Sequence, residues 1–134
     1  LVDLLAKARQ AGALVMHLQN DGAAGAVDEH GQPGWQLHLA PAEDEQTIGK
    51  CRDDGFVDTK LGQLLESHKV RRIVIGGLLS EMCVSATART ALAQGFQVAL
   101  PHDSTCARKP PALTVWSTHA HHRAGLPQIP TDTP

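Results

Sequence analysis

Hydrophobic positions in the first 100 residues switch between helical spacing and short continuous apolar runs. Apolar residues at helical spacing predict helices, and apolar β-branched runs predict buried strands. Helices are predicted over residues 1–9, 59–68 and 80–94, and strands over residues 13–18, 47–50, 72–75 and 96–100. Strands that alternate with helices are typical of a mostly parallel sheet with helices on both faces. The pattern therefore predicts an α/β fold whose ligands bind at the carboxyl ends of the strands.

Two stretches do not follow this alternation. Residues 19–45 are rich in Gly, Pro, Asp and Gln, with Trp35 in the middle, and a connection of this length is usually a functional loop. From Cys106 onward, prolines and a histidine-rich patch replace the periodic pattern. We therefore predict one domain over residues 1–105, followed by an irregular tail over residues 106–134.

Composition excludes several classes of protein. The chain has 134 residues, 42% of them apolar, and a net charge of −2, which fits one soluble domain and no nucleic-acid partner. No apolar run approaches the ~18 residues that span a membrane. Three cysteines without a Cys-x-x-Cys pair predict a reducing, cytoplasmic location. The chain begins with Leu1 rather than methionine, which favours a truncated chain.

Cys83 is the first candidate for chemistry. The apolar run 73–75 leads through two glycines to Ser80, a residue suited to cap a helix, so Cys83 would be the third helical residue. The positive end of a helix stabilises a thiolate, and amides in the turn can bind an oxyanion. A buried structural cysteine is an equally good interpretation of the position alone.

The other candidates are weaker by position. Lys50 ends a predicted strand and could stabilise a thiolate, although a solvated surface lysine is the more common case. His17 lies inside a predicted strand and is interpreted as a core histidine. The patch of His119, His121 and His122 lacks the spacing of a metal site.

Three segments together resemble the isochorismatase-like cysteine hydrolases. The main one is residues 73–89 (IVIGGLLSEMCVSATAR). Residues 50–61 (KCRDDGFVDTKL) resemble the family's lysine segment, and residues 35–38 (WQLH) resemble the loop before it in one bacterial branch. The likeness extends over about residues 1–104, with the motifs in the family's order and spacing.

The resemblance implies a Rossmann-like three-layer αβα fold and an Asp–Lys–Cys triad without a cofactor. Cys83 would attack a small amide or a related C–N or C–O substrate and form a thioester, and Lys50 would stabilise the charge. The backbone amides of Leu79 and Cys83 would hold the oxyanion. Phe56 and Trp35 would line a small apolar substrate pocket. Relatives of this kind commonly form homo-oligomers.

The sequence also departs from the family. The family's catalytic aspartate ends a first, central strand that precedes the helix with which this chain begins, and Asp21 and Asp28 do not match its motif. The missing strand predicts two exposed strand edges and a gap in the core. The Asp-x-His metal ligands of nicotinamidase relatives are also not matched, so we expect no catalytic metal.

Three functions stay open at this point. One is a cysteine hydrolase whose turnover is impaired in this chain because the aspartate strand is missing. The alternative is a non-catalytic, degenerate family member that acts as a binding or interaction protein. The weakest is a thiol-reactive or redox protein that uses Cys83.

Overall fold

The computed structural model describes residues 1–78, 80–102, 105–106 and 113–118, and the last two ranges are described by their backbone alone. Three α-helices are formed: α1 (Val2–Gln10), α2 (Leu61–Ser67) and α3 (Ser85–Ala93). The strands are β1 (Leu14–Asn20), β2 (Gln46–Lys50), β3 (Arg72–Leu78), β4 (Gln97–Ala99), β5 (Thr105–Cys106) and β6 (Leu113–Thr118). A short 3-10 helix covers Pro33–Trp35, and a π-helical turn covers Ser80–Val84.

The strands form one sheet in the order β2-β1-β6-β3-β4, and β5 pairs with the end of β3. The pairs β1–β2, β3–β4 and β3–β5 are parallel. Only β6, among the described strands, runs antiparallel to its neighbours. The predicted mostly parallel α/β sheet is therefore confirmed.

The core lies on both faces of this sheet. On one face α1 packs Leu5 and Ala8 against Val15 of β1. On the other face α2 and α3 cover the remaining apolar strand residues, and this larger cluster contains Met16, Leu18, Ile48, Leu61, Leu65, Val70, Ile73, Ile75, Val84, Ala88 and Ala91. Val15 and Met16 belong to opposite clusters because successive side chains of a strand point to opposite faces. The three-layer arrangement follows from this alternation.

The centre of the sheet differs from the sequence prediction. The segment Leu113–Thr118 (LTVWST) was predicted to be irregular, and this prediction is wrong, because it forms β6 between β1 and β3. The prediction of two exposed edges and a gap is also wrong, since β6 pairs with both inner edges. The segment is rich in β-branched and aromatic residues that favour strands, and unpaired edges readily accept another strand. The domain boundary at residue 105 stays a prediction.

The helix after β3 begins differently from the prediction. Ser80 does not precede the helix as a cap but is the first residue of the π-helical turn, and the regular α-helix begins at Ser85. Cys83 therefore lies in the π-helical turn, a geometry that is often found at functional sites. At the other end, Gly95 has a φ of 87°, and closes α3 as the sequence predicted.

Candidate active site

Lys50 and Cys83 meet beyond the carboxyl ends of the strands. Lys50 is the last residue of β2, and Cys83 lies in the turn that follows β3. The Nζ atom of Lys50 donates a hydrogen bond to the Sγ atom of Cys83 over 3.3 Å. Lys50 is 3% exposed, and Cys83 is half-buried. The structure thus brings together the two residues that the sequence singled out, and Lys50 is not a surface lysine.

Lys50 is held in place by three acceptors. Its Nζ atom donates to Asn20 Oδ1 at 3.0 Å and to the carbonyl of Arg52 at 2.9 Å, in addition to the sulfur. An ammonium group has three N–H donors, so these contacts use all of them. No ion pair between Lys50 and a carboxylate is found in the described part of the chain. A buried cation without an anionic partner is costly, so a negative charge that develops on the adjacent sulfur of Cys83 is favoured by this geometry.

Asn20 links the lysine to the long loop between β1 and β2. Its amide nitrogen donates to Asp28 Oδ2 at 2.6 Å, while its amide oxygen accepts the hydrogen bond from Lys50. The carboxylate of Asp28 can only accept a hydrogen bond, so it orients the amide oxygen of Asn20 towards the ammonium group. This contact gives the loop a direct role in positioning Lys50.

Asp53 is a residue of the candidate site that the sequence analysis missed. The Sγ atom of Cys83 donates to Asp53 Oδ1 over 3.6 Å, and the Asp53 side chain is exposed. The feature of the sequence that points to Asp53 is its position, three residues after Lys50 in the same segment.

The segment after Lys50 lies along one face of the helix that carries Cys83. The N–H of Gly55 donates to Thr87 Oγ1 at 2.9 Å, and the Thr90 hydroxyl donates to Asp54 Oδ2 at 2.5 Å. The contact of Asp53 with Cys83 continues this row, so the three side chains lie on the same side of the helix. The same face therefore anchors the lysine segment and presents the thiol.

The two aromatic candidates lie in different surroundings. The Phe56 ring lies 6.2 Å from the Phe96 ring and packs against the larger core cluster. The Trp35 indole N–H donates to Asp21 Oδ1 at 2.5 Å, and the backbone N–H of Asp21 donates to the carbonyl of Lys50 at 2.8 Å. Trp35 thus lies at the Lys50 end of the sheet. The substrate pocket of Phe56 and Trp35 stays a prediction.

Several predicted features lie outside the described residues. These are the backbone of Leu79, one of the two oxyanion donors, and the patch of His119, His121 and His122. Within the described ranges, no three His, Cys, Asp or Glu side chains form a group that could hold a metal ion. The absence of a catalytic metal stays a prediction. No helix in these ranges is long and apolar enough to cross a membrane.

His17 belongs to a separate, partly buried network that includes Arg9 of α1. Its Nε2 atom lies 2.7 Å from Glu45 Oε2, and the Arg9 Nε atom lies 2.7 Å from Glu45 Oε1. Hydrogen bonds from Arg9 lower the pKa of Glu45 to about 2; the Ala42 N–H and His17 act in the same direction, and burial opposes them. His17 is 1% exposed and hydrogen-bonded, so it is the core histidine that the sequence predicted.

Two curated relatives are similar to this chain in sequence. Streptothricin hydrolase from Streptomyces noursei is 58% identical over 104 residues, which cover 76% of this chain and 41% of that protein. N-carbamoylsarcosine amidase from an Arthrobacter species is 30% identical over 81 residues, which cover 60% of this chain and 30% of that protein. The chain therefore spans less than half of the length of these relatives.

The chain also resembles a solved structure and matches a known family domain. The crystal structure of N-carbamoylsarcosine amidase from Thermoplasma acidophilum matches with a TM-score of 0.74, over 81% of this chain and 68% of that chain. At 22% sequence identity this likeness shows the fold alone. The Isochorismatase domain matches residues 1–130, a range that contains both the lysine and the cysteine motifs. The chain therefore belongs to the isochorismatase family.

Proposed function

We propose that this protein is a cysteine hydrolase that cleaves a C–N bond, or a related C–O bond, in a small molecule. The observation that carries the proposal is the 3.3 Å contact between the buried ammonium group of Lys50 and the sulfur of Cys83. Thiolates rather than thiols are the nucleophiles of such reactions, and a fixed cation stabilises the thiolate. The names of the two curated relatives, a streptothricin hydrolase and an amidase, support a small amide as substrate.

The chemistry proceeds in two stages. The thiolate of Cys83 attacks the carbonyl carbon, and the C–O double bond becomes an oxyanion held by the amides of Cys83 and Leu79. When the oxyanion collapses, the C–N bond breaks, the nitrogen takes a proton, and the amine leaves a thioester on Cys83. Water then attacks the thioester, the C–S bond breaks, and the carboxylic acid is released with the thiolate restored. Lys50 stabilises the sulfur charge at the start and at the end.

We expect low turnover from the 134-residue polypeptide. The triad aspartate of the family has no counterpart by motif in this sequence, and removing a member of a catalytic triad commonly lowers the rate by several powers of ten. Low turnover is a matter of rate and leaves the assignment of the nucleophile unchanged.

The test is trapping of the acyl-enzyme. The polypeptide is incubated with streptothricin or with N-carbamoylsarcosine, and products and intact protein mass are followed by mass spectrometry. We expect slow product formation and an acyl adduct on Cys83, both lost in Cys83→Ala. Product formation that persists in Cys83→Ala would overturn the assignment of the nucleophile. Ligand binding without any product or adduct would instead support the non-catalytic alternative.

A further inference from the structure

We propose that Asp53 is the proton acceptor of Cys83 in this chain. The inference rests on the proposed cysteine chemistry and deepens it. In the described part of the chain, Asp53 is the acidic residue that hydrogen-bonds to the sulfur, with 3.6 Å between Sγ and Oδ1. Contacts between a nucleophile and its base are often long in the absence of substrate and shorten in the reacting complex. Asp53 therefore contacts the thiol directly, as a general base must.

The backbone around Asp53 is fixed on both sides. The carbonyl of Arg52 accepts a hydrogen bond from the buried Lys50. On the other side, the Asp54 carboxylate accepts hydrogen bonds from the Thr90 hydroxyl and from the N–H of Phe56. Asp53 thus connects two hydrogen-bonded residues, and its exposed carboxylate contacts the sulfur. An exposed carboxylate on a fixed backbone can exchange protons with substrate and water as well as with the thiol.

The charges around the sulfur fit a proton transfer. Lys50 approaches Sγ with a positive charge at 3.3 Å, and Asp53 approaches it with an acceptor oxygen at 3.6 Å. When the proton moves from sulfur to the carboxylate, the new negative charge on sulfur lies next to the ammonium group, and Asp53 becomes neutral. The transfer therefore creates an attractive pair between sulfur and Lys50, and it leaves only one of the two adjacent groups, Cys83 and Asp53, negatively charged.

The proton is conserved through the cycle. Asp53 takes the thiol proton as the C–S bond forms, and then delivers it to the leaving nitrogen as the C–N bond breaks. In the second stage the Asp53 carboxylate takes a proton from the attacking water. Collapse of the oxyanion then breaks the C–S bond, and the proton on Asp53 returns to sulfur. Water is the only co-reactant, and no oxidant or reductant is needed.

The experiment uses p-nitrophenyl acetate as the probe and measures ester hydrolysis that is lost in Cys83→Ala. Asp53→Asn keeps the shape of the side chain but cannot accept the proton, so we expect a fall of about 100-fold in kcat/KM. Asp58→Asn is the matched control, because Asp58 is an exposed aspartate of the same segment and should stay within about twofold of the parent. Equal activity of Asp53→Asn and Asp58→Asn would overturn the role of Asp53.

Rescue separates a chemical role from a structural one. In Asp53→Ala, added acetate can occupy the exposed position and accept the proton, so we expect acetate to restore activity at least about tenfold. A purely structural aspartate would show no such rescue. A different result would contradict the assignment of Cys83 as the nucleophile. If Cys83→Ala retained the ester hydrolysis of the parent, the cysteine mechanism itself would be wrong.

Discussion

Gly55 and Thr87 fix the lysine segment against the helix that carries the thiol. The N–H of Gly55 donates to Thr87 Oγ1 at 2.9 Å, and both residues are buried. A Cβ atom at position 55 would lie 2.4 Å from the Leu18 Cδ1 atom, so the backbone approaches the core closely at this point. The distance between Lys50 and Cys83 therefore depends on this anchor as well as on the two side chains.

Replacement of Thr87 by valine should weaken both the fold and the site. Valine has the shape of threonine but no hydroxyl, so the buried N–H of Gly55 loses its acceptor. We expect the free energy of unfolding to fall by about 1–3 kcal/mol, as measured by urea denaturation. Thr87→Ser is the matched control because it keeps the acceptor. If Thr87→Val and Thr87→Ser lower the free energy of unfolding equally, the hydrogen bond does not hold the lysine segment in place.

Replacement of Lys50 by methionine should slow the reaction of Cys83 with iodoacetamide. Methionine fills a similar buried space but lacks the positive charge that lies 3.3 Å from the Cys83 sulfur and would stabilise its thiolate. We expect the alkylation rate at pH 7 to fall about tenfold or more, which corresponds to about 1.4 kcal/mol in thiolate stabilisation. The rate is measured by peptide mass spectrometry in a Cys51→Ser background, since Cys51 is an exposed thiol.

Lys60→Met provides the control for this measurement, because Lys60 is exposed on the same segment. We expect the Cys83 alkylation rate of this variant to match that of the parent. A rate that is unchanged in Lys50→Met would show that the ammonium group does not stabilise the thiolate.

The sequence predicted the helices and strands before residue 100, and two residues of the candidate site, because local patterns determine them. The apolar runs of β1 and β3 and the helical spacing in α1 are visible in any short window of the sequence. Lys50 and Cys83 were found because each lies in a recognisable motif.

Contacts between distant segments were not visible in this way. Asp53 approaches Cys83 across 30 positions of sequence, and β6 enters the sheet only because β1 and β3 leave a place between them. The segment 113–118 is short and comes after a proline pair, so its local pattern resembled that of an irregular tail. Its β-branched and aromatic residues favour a strand, and its pairing with both β1 and β3 makes that strand a central one.

Acid should destabilise the protein through Glu45. The pKa of Glu45 is lowered from 4.5 to about 2 in the folded state, chiefly by the hydrogen bonds from Arg9. A carboxylate whose pKa is lowered by folding stabilises the protein at pH values above its pKa in the unfolded state. This contribution is lost as the pH falls from about 4.5 towards 2. Arg9 is 39% exposed, so solvent screens part of the interaction, and we expect a loss of roughly 2 kcal/mol.

Urea denaturation between pH 6 and pH 2.5 measures this loss. Glu45→Gln removes the titrating group, and its stability should change less over this range than that of the parent. Glu43→Gln changes an exposed glutamate of the same loop and should keep the parent's pH dependence. Parallel pH profiles for the parent and Glu45→Gln would contradict the prediction.

Proline at position 115 should disrupt the centre of the sheet. Val115 lies in β6 opposite Met16 of β1 and Ile75 of β3, so the backbone of this residue belongs to ladders on both sides. Proline has no N–H and is not accommodated in a central strand, whereas an irregular tail would tolerate it. We expect Val115→Pro to lower the Tm by about 10 °C or more, as followed by circular dichroism. Val115→Ile keeps the N–H and the β-branched side chain and should remain close to the parent. A Tm of Val115→Pro within about 2 °C of that of Val115→Ile would show that β6 is not needed to close the sheet.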